Sequence, residues 1–152
     1  METDFAELPP ILCYPGQLNQ VWMNLLSNAA EAVLTKESPL VTVKSVQEAD
    51  RIKVTISDNG TGIPPEVQSK IFEPFYTTKP VGQGTGLGLS ICHSIMLRHG
   101  GEIECESKIN EGTSFVIKIP IYTSPADLAN VRGSGESDLI FEPALNPAME
   151  PD

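Results

Sequence analysis

Residues 100–120, GGEIECESKINEGTSFVIKIP, decide the fold. In 102–107 the acids Glu102, Glu104 and Glu106 alternate with Ile103 and Cys105, and in 114–120 Phe115, Ile117 and Ile119 point one way. A period of two marks a strand that buries one face. Glu111-Gly112 turns the chain between the two runs, which predicts an antiparallel hairpin. The apolar face of such a sheet needs a second layer to cover it.

The cover lies upstream. Residues 87–99 read as a helix that Gly100-Gly101 ends. Residues 17–34 put Leu18, Val21, Trp22, Leu25, Leu26, Ala29 and Val33 at helical spacing, a broad apolar face, and Pro15-Gly16 suits the helix entrance. Residues 40–46 and 51–57 alternate as two further strands joined by the polar turn Gln47-Glu48-Ala49-Asp50. In the second, Ile52, Val54 and Ile56 share one face while Lys53, Thr55 and Ser57 take the other. The expected class is α+β: a two-layer α/β sandwich with a mixed, mostly antiparallel sheet covered on one face by helices.

Downstream the composition changes. Residues 123–152 hold four prolines and six acidic residues against one basic, half of the net charge of −10. Residues 1–122 are therefore expected to form one domain and 123–152 an acidic, Pro-rich, disordered tail. The apolar run Asp138-Leu139-Ile140-Phe141 in that tail could be a docking motif or a chance cluster. The acidity disfavours nucleic acid as a partner. No stretch approaches the roughly 20 apolar residues of a membrane span, and the N-terminus has no signal-peptide pattern. A cytoplasmic location without membrane contact by this segment is expected, with anchoring elsewhere in a full-length protein left open. Cys13, Cys92 and Cys105 are widely spaced and form no C-x-x-C pair, so buried structural thiols are expected rather than zinc ligands or disulfides.

Four features carry chemistry. On the polar side of the first helix lie Gln20, Asn24, Asn28 and Glu31; Asn24 and Asn28 stack four residues apart. A side-chain amide oxygen is a hard neutral ligand suited to a hydrated Mg²⁺, although a solvated helix face would carry the same residues. Asp58-Asn59-Gly60-Thr61-Gly62-Ile63-Pro64 follows a strand. The carboxylate could accept an adenine amino group while Gly60 and Gly62 let the ring approach the backbone; an ordinary Asp-Asn-Gly turn is the alternative. In Ile71-Phe72-Glu73-Pro74-Phe75-Tyr76-Thr77-Thr78-Lys79, Lys79 is a candidate phosphate contact, and three of the chain's nine aromatics cluster there, as a loop folded onto the core would also require. Gly82-Gln83-Gly84-Thr85-Gly86-Leu87-Gly88-Leu89-Ser90 leads into the second helix, whose N-terminal end and preceding amides would cradle an anion. The loop fits neither a Rossmann nor a Walker pattern.

In this order and spacing, the four features resemble the ATP-site boxes of the sensor histidine kinase catalytic domain, in the superfamily shared with gyrase, Hsp90 and MutL. The resemblance runs from about Leu8 to Pro120 and includes His99-Gly100-Gly101 and Gly112-Thr113. It implies a Bergerat-type ATP-binding fold, with ATP and Mg²⁺ as cofactors. Asn28 would coordinate the metal and Asn24 assist at the phosphates. Asp58 would hold the adenine amino group near Thr113, with Gly60, Gly62 and Ile63 around the base. Tyr76, Thr77, Thr78 and Lys79 would close over the nucleotide, and Gly84, Thr85, Gly86, Leu87, Gly88 and Leu89 would wrap the phosphates. Asn24, Asn28 and Lys79 would form the catalytic set. Glu31, counted among the nucleotide-binding positions, departs from the many relatives with a basic or aromatic residue there; Asn-Ala-Ala-Glu-Ala is similar to the nitrogen-regulation and dicarboxylate-sensing branch. Lys79 is the candidate for the missing cation.

The implied activity is transfer of the ATP γ-phosphoryl group to a histidine on a separate dimerisation domain, with a response regulator as an indirect partner. His93 and His99 are the only histidines, and neither lies in an acceptor pattern, so the acceptor bundle is expected outside this chain. Rival readings are an ATP hydrolase of the same superfamily and a module that senses ATP without turnover. Related hydrolases have a general-base Glu where Asn24 stands, and an amide cannot take a proton at neutral pH.

Overall fold

The computed structural model describes residues 1–79 and 84–122, together with Ala126. Its elements in chain order are β1 (Glu2–Phe5), α1 (Pro15–Ala32), β2 (Val41–Glu48), β3 (Arg51–Asp58), α2 (Pro65–Gln68), α3 (Gly88–Arg98), β4 (Glu102–Lys108) and β5 (Gly112–Pro120). One sheet runs β1-β2-β3-β5-β4. Every pairing is antiparallel except β1 with β2. The mixed, mostly antiparallel sheet and the two long helices agree with the expected class.

The alternating residues meet in register. Ile52 faces Ile119, Val54 faces Ile117 and Ile56 faces Phe115, while Ile103 and Cys105 continue the rows on β4. Onto this surface α1 packs Leu18, Val21, Leu25 and Ala29, and α3 packs Cys92, Ile95 and Met96. Val21, Leu25, Cys92, Met96 and Ile117 have no solvent exposure at all. Burying one such aliphatic side chain is worth about 1.5–3 kcal/mol. The opposite sheet face is polar. Arg51 meets Glu102 at 2.9 Å, Lys118 meets Glu104 at 3.1 Å, Lys53 pairs with Glu48, and Ser57 and Ser114 share a hydrogen bond of 2.8 Å. Exposed pairs of this kind add only about 0.2–1 kcal/mol each. The inner face therefore holds the domain together.

Several boundaries differ from expectation. The turn at 47–50 is narrower, because Gln47 and Glu48 still pair with Ile52 and Arg51, leaving Ala49 and Asp50 as the tip with Ala49 at φ 54°. Helix α1 begins at Pro15 and stops at Ala32, where Leu34 N–H turns back to Glu31 O at 3.2 Å. Strand β1 was not expected. Its four exposed residues have no apolar alternation, and backbone pairing to β2, continued by Ala6 N–H to Ser45 O at 3.1 Å, defines it. All three cysteines are free, Cys92 buried and Cys13 and Cys105 half-buried. No helix among the described residues is long and apolar enough to cross a membrane. The expected tail, its 138–141 run and the loop residues Gly82 and Gln83 lie outside the described residues, Ala126 excepted.

Candidate functional site

An open cavity of about 570 Å³ lies between α1, the end of β3, the 76–79 segment and the start of α3. It brings together Asn24, Asn28 and Glu31 from α1, Asp58 from β3, Gly62 and Ile63 from the turn, and Thr113 from β5. Tyr76, Thr77, Thr78 and Lys79 join them, as do Gly84, Thr85, Gly86, Gly88 and Leu89. Residues from five separated stretches of sequence thus share one wall. Of the expected set only Gly60 and Leu87 do not line it. Ser27, Ala32, Thr61, Ile71 and Phe115 line it unexpectedly.

At the sheet end, Asp58 is half-buried and its Oδ1 accepts the Gly60 N–H at 2.8 Å. Burial pushes this carboxyl above its ordinary range, and the Gly60 and Thr113 backbone N–H groups pull partly the other way. The turn glycines are required by packing within the fold itself. A Cβ on Gly60 would sit 2.5 Å from Ala32 O, and one on Gly62, at φ 72°, would sit 2.1 Å from Lys108 O. It is the protein's own backbone that comes close. Asn59 is a clamp: its Oδ1 accepts Leu40 N–H at 2.9 Å and its Nδ2 donates to Ser38 O at 2.8 Å.

Ser107 and Gln68 support this end from behind. Ser107 Oγ accepts Ile63 N–H at 2.8 Å, donates to Gly112 O at 2.9 Å and lies 2.9 Å from Thr113 Oγ1, so the Thr113 hydroxyl is the donor in that pair. Gln68 Nε2 donates to Ile63 O at 2.8 Å and to Ser107 O at 2.9 Å. Nothing in their spacing singled these two residues out. Cys105 also lies here, its thiol pushed up to about 11 by burial first and then by Asp58 and Glu106. It stays protonated and is a poor nucleophile.

At the helix end, Asn24 Nδ2 donates to Gly88 O at 3.2 Å and to Cys92 Sγ at 3.7 Å. Both amide hydrogens are thereby engaged, and the carbonyl oxygen is the group left to act as a ligand. Asn28 lies one turn further along the same face of α1. The first intrahelical bond of α3 runs from Ile91 N–H to Leu87 O at 2.9 Å, so the amides of the preceding turn stand at the positive end of the helix beside the cavity. Leu87 itself turns its N–H to Thr85 Oγ1 at 3.3 Å and its carbonyl to Ser90 Oγ at 2.9 Å. Lys79 pairs with Glu31. Of the three aromatics, Tyr76 lines the cavity, Phe72 leans on His93 with ring centroids 5.7 Å apart, and Phe75 is 76% exposed. His99 is fully buried, its Nε2 accepting Tyr14 N–H at 3.0 Å and its Nδ1 facing Ile95 O at 2.8 Å. An imidazole with both nitrogens engaged inside the fold is not a phosphoryl acceptor.

The histidine kinase-, DNA gyrase B- and HSP90-like ATPase family matches residues 13–123, a span that contains every residue of the cavity wall. The chain belongs to that family. Within it, the chain is of the sensor histidine kinase catalytic-domain type. It is 41% identical to the sensor kinase CckA of Brucella abortus, over 75% of this chain and 13% of CckA. The chain thus spans a small part of that curated relative. The nucleotide-free catalytic domain of the histidine kinase ThkA superposes with a TM-score of 0.68 at 37% identity, covering 79% of this chain and 77% of that one. Full-length ShkA in complex with AMPPNP gives 0.66 at 29% identity, covering 81% of this chain and 26% of that one.

Proposed function

We propose that this family member binds Mg-ATP in the cavity and transfers the γ-phosphoryl group to a histidine on a separate dimerisation domain, which then serves a response regulator. The observation that carries the reading is the convergence of Asn24, Asn28, Asp58 and the start of α3 on one cavity wall. The bound AMPPNP of the related ShkA agrees with a nucleotide there. Asp58 holds the adenine amino group through its second oxygen, with Thr113 and Ile63 held in place by Ser107. The donor set fits a metal-bound polyphosphate: two neutral amides on one helix face, then the open amides of a helix N-terminus. Asn28 would hold Mg²⁺ and Asn24 would assist at the phosphates, whose charge the ion would neutralise. Lys79 adds a point charge at the same end. Residues 1–122 act as the catalytic domain, in the cytoplasm, and 123–152 as an appended tail.

Hydrolysis is disfavoured by Asn24. Its amide is no base, and both its hydrogens are engaged with α3. Catalysis then rests on positioning and charge neutralisation rather than on activation of water. The test mixes this chain with a purified histidine-bearing helical hairpin and ATP labelled at the γ position. Phosphohistidine on the hairpin is expected, at a slow rate because no tether raises the acceptor concentration. Free phosphate with unlabelled protein would favour the hydrolase, and tight binding without turnover the sensor.

A further inference from the structure

Glu31 puts a carboxylate in a cavity wall that, by the reading above, receives phosphates. It stands one residue before the end of α1 and three after Asn28, and it pairs with Lys79, which also lines the cavity. Neither side chain is deeply buried: Lys79 is 38% exposed and Glu31 49%. The pair is held from the other side by the chain itself. Lys79 N–H donates to Thr77 Oγ1 at 3.1 Å, and a Cβ on Gly84 would lie 2.9 Å from Lys79 Cδ and 2.9 Å from Thr77 Oγ1. The Gly84 backbone thus lies against the aliphatic stem of Lys79, and the ammonium at its tip is tied to α1.

We propose that Glu31 is an internal competitor for the phosphate chain of the nucleotide, setting affinity according to phosphate content. The inference rests on the nucleotide reading of the cavity. Without a ligand, the Glu31 carboxylate neutralises Lys79. A triphosphate entering the helix end brings more negative charge to the same ammonium and displaces the carboxylate, which swings toward solvent. Each binding event therefore breaks one ion pair before it makes another. A half-exposed pair is weak enough to be exchanged in this way; a buried one would not be. Adenosine makes no demand on Lys79 and is indifferent to Glu31.

Calorimetric titration of ATP and of adenosine, with Mg²⁺ present, tests this on the wild type, Glu31→Gln, Lys79→Gln and the double variant. Glu31→Gln is expected to tighten ATP by about threefold to fivefold, the equivalent of one exposed ion pair, and to leave adenosine unchanged. In the Lys79→Gln background the same substitution is expected to change ATP affinity by less than about 1.5-fold. Unchanged or weakened ATP binding by Glu31→Gln overturns the inference. So does equal tightening of adenosine, or full tightening without Lys79. If the wild type binds neither ligand, the nucleotide reading fails and the inference falls with it; if the wild type binds ATP, only the inference is at stake.

Discussion

Asp58, proposed above to hold the adenine amino group, carries its charge at a cost to the fold. Burial raises its pKa, so ionisation is unfavourable in the folded chain relative to the unfolded one. For an acid the sign is unusual. The folded state binds the proton more readily, and stability declines as pH rises through the interval above the ordinary aspartate value. Asp58→Asn removes the buried charge yet keeps an oxygen for the Gly60 N–H. Thermal unfolding at pH 7 is expected to occur at a higher temperature than in the wild type. The new amide nitrogen then faces the adenine amino group, donor against donor. Loss of a charge-assisted bond of about 1.5–3 kcal/mol weakens ATP by roughly ten- to 150-fold. Guanine offers an acceptor at the same edge, so preference for ATP over GTP should fall as well. A variant that is less stable denies the cost of the buried charge, and one that keeps its ATP affinity and preference removes Asp58 from the adenine contact.

At the scale of elements, the site is built where two turns interlock. The 58–63 turn lies against the 108–112 turn, with Asn110 N–H donating to Thr61 O at 2.7 Å and a Cβ on Gly112 falling 1.9 Å from Asp58 O. Glycine substitutions separate packing from propensity here. Gly62→Ala forces a side chain into Lys108 O at φ 72° and is expected to cost about 2–4 kcal/mol in urea unfolding. Gly16→Ala meets nothing within 4 Å inside α1 and should gain about 0.5 kcal/mol. Equal effects of the two would deny the close approach. The elements themselves were legible wherever a period was, as in the Leu18–Val21–Leu25 stripe or the rows of Ile52 and Phe115. Glu2–Phe5 was not, because a parallel edge strand with four exposed residues leaves no pattern. The site was legible as residues but less so as contacts. Asn24, Asn28 and Asp58 stood out by type and position, whereas Ser107 and Gln68 act through backbone groups that only tertiary structure brings near them. Gly60 and Gly62 stood out as missing side chains, but their packing against Ala32 and Lys108 did not, since spacing does not say which part of the chain fills the space.

Across the whole molecule, α3 is fastened to α1 at both ends. Asn24 holds Gly88 O at the cavity end, and His99 at the C-cap of α3 accepts the N–H of Tyr14, the N-cap of α1, at the far end. The second fastening is sensitive to pH. Burial, with a smaller repulsion from Arg98, holds His99 below its ordinary pKa, while the bond to Ile95 O opposes the shift. In the unfolded chain the imidazole takes up a proton near pH 6.5, as histidine does in water. Between that value and the lower folded pKa, the unfolded state carries more protons, so stability is lost as pH falls through the interval. Protonation would also give Nε2 a hydrogen, which cannot accept the Tyr14 N–H. His99→Gln retains a potential acceptor and has nothing to titrate. The stability of the wild type minus that of His99→Gln, from urea unfolding at pH 7.5, 6.5, 5.5 and 5.0, isolates His99 because the contributions of His93 and the carboxylates cancel. This difference is expected to shrink steadily below pH 6.5. A difference that stays constant down to pH 5.0 would show that His99 titrates alike in both states, and that the fastening at the far end of α3 is not sensitive to pH.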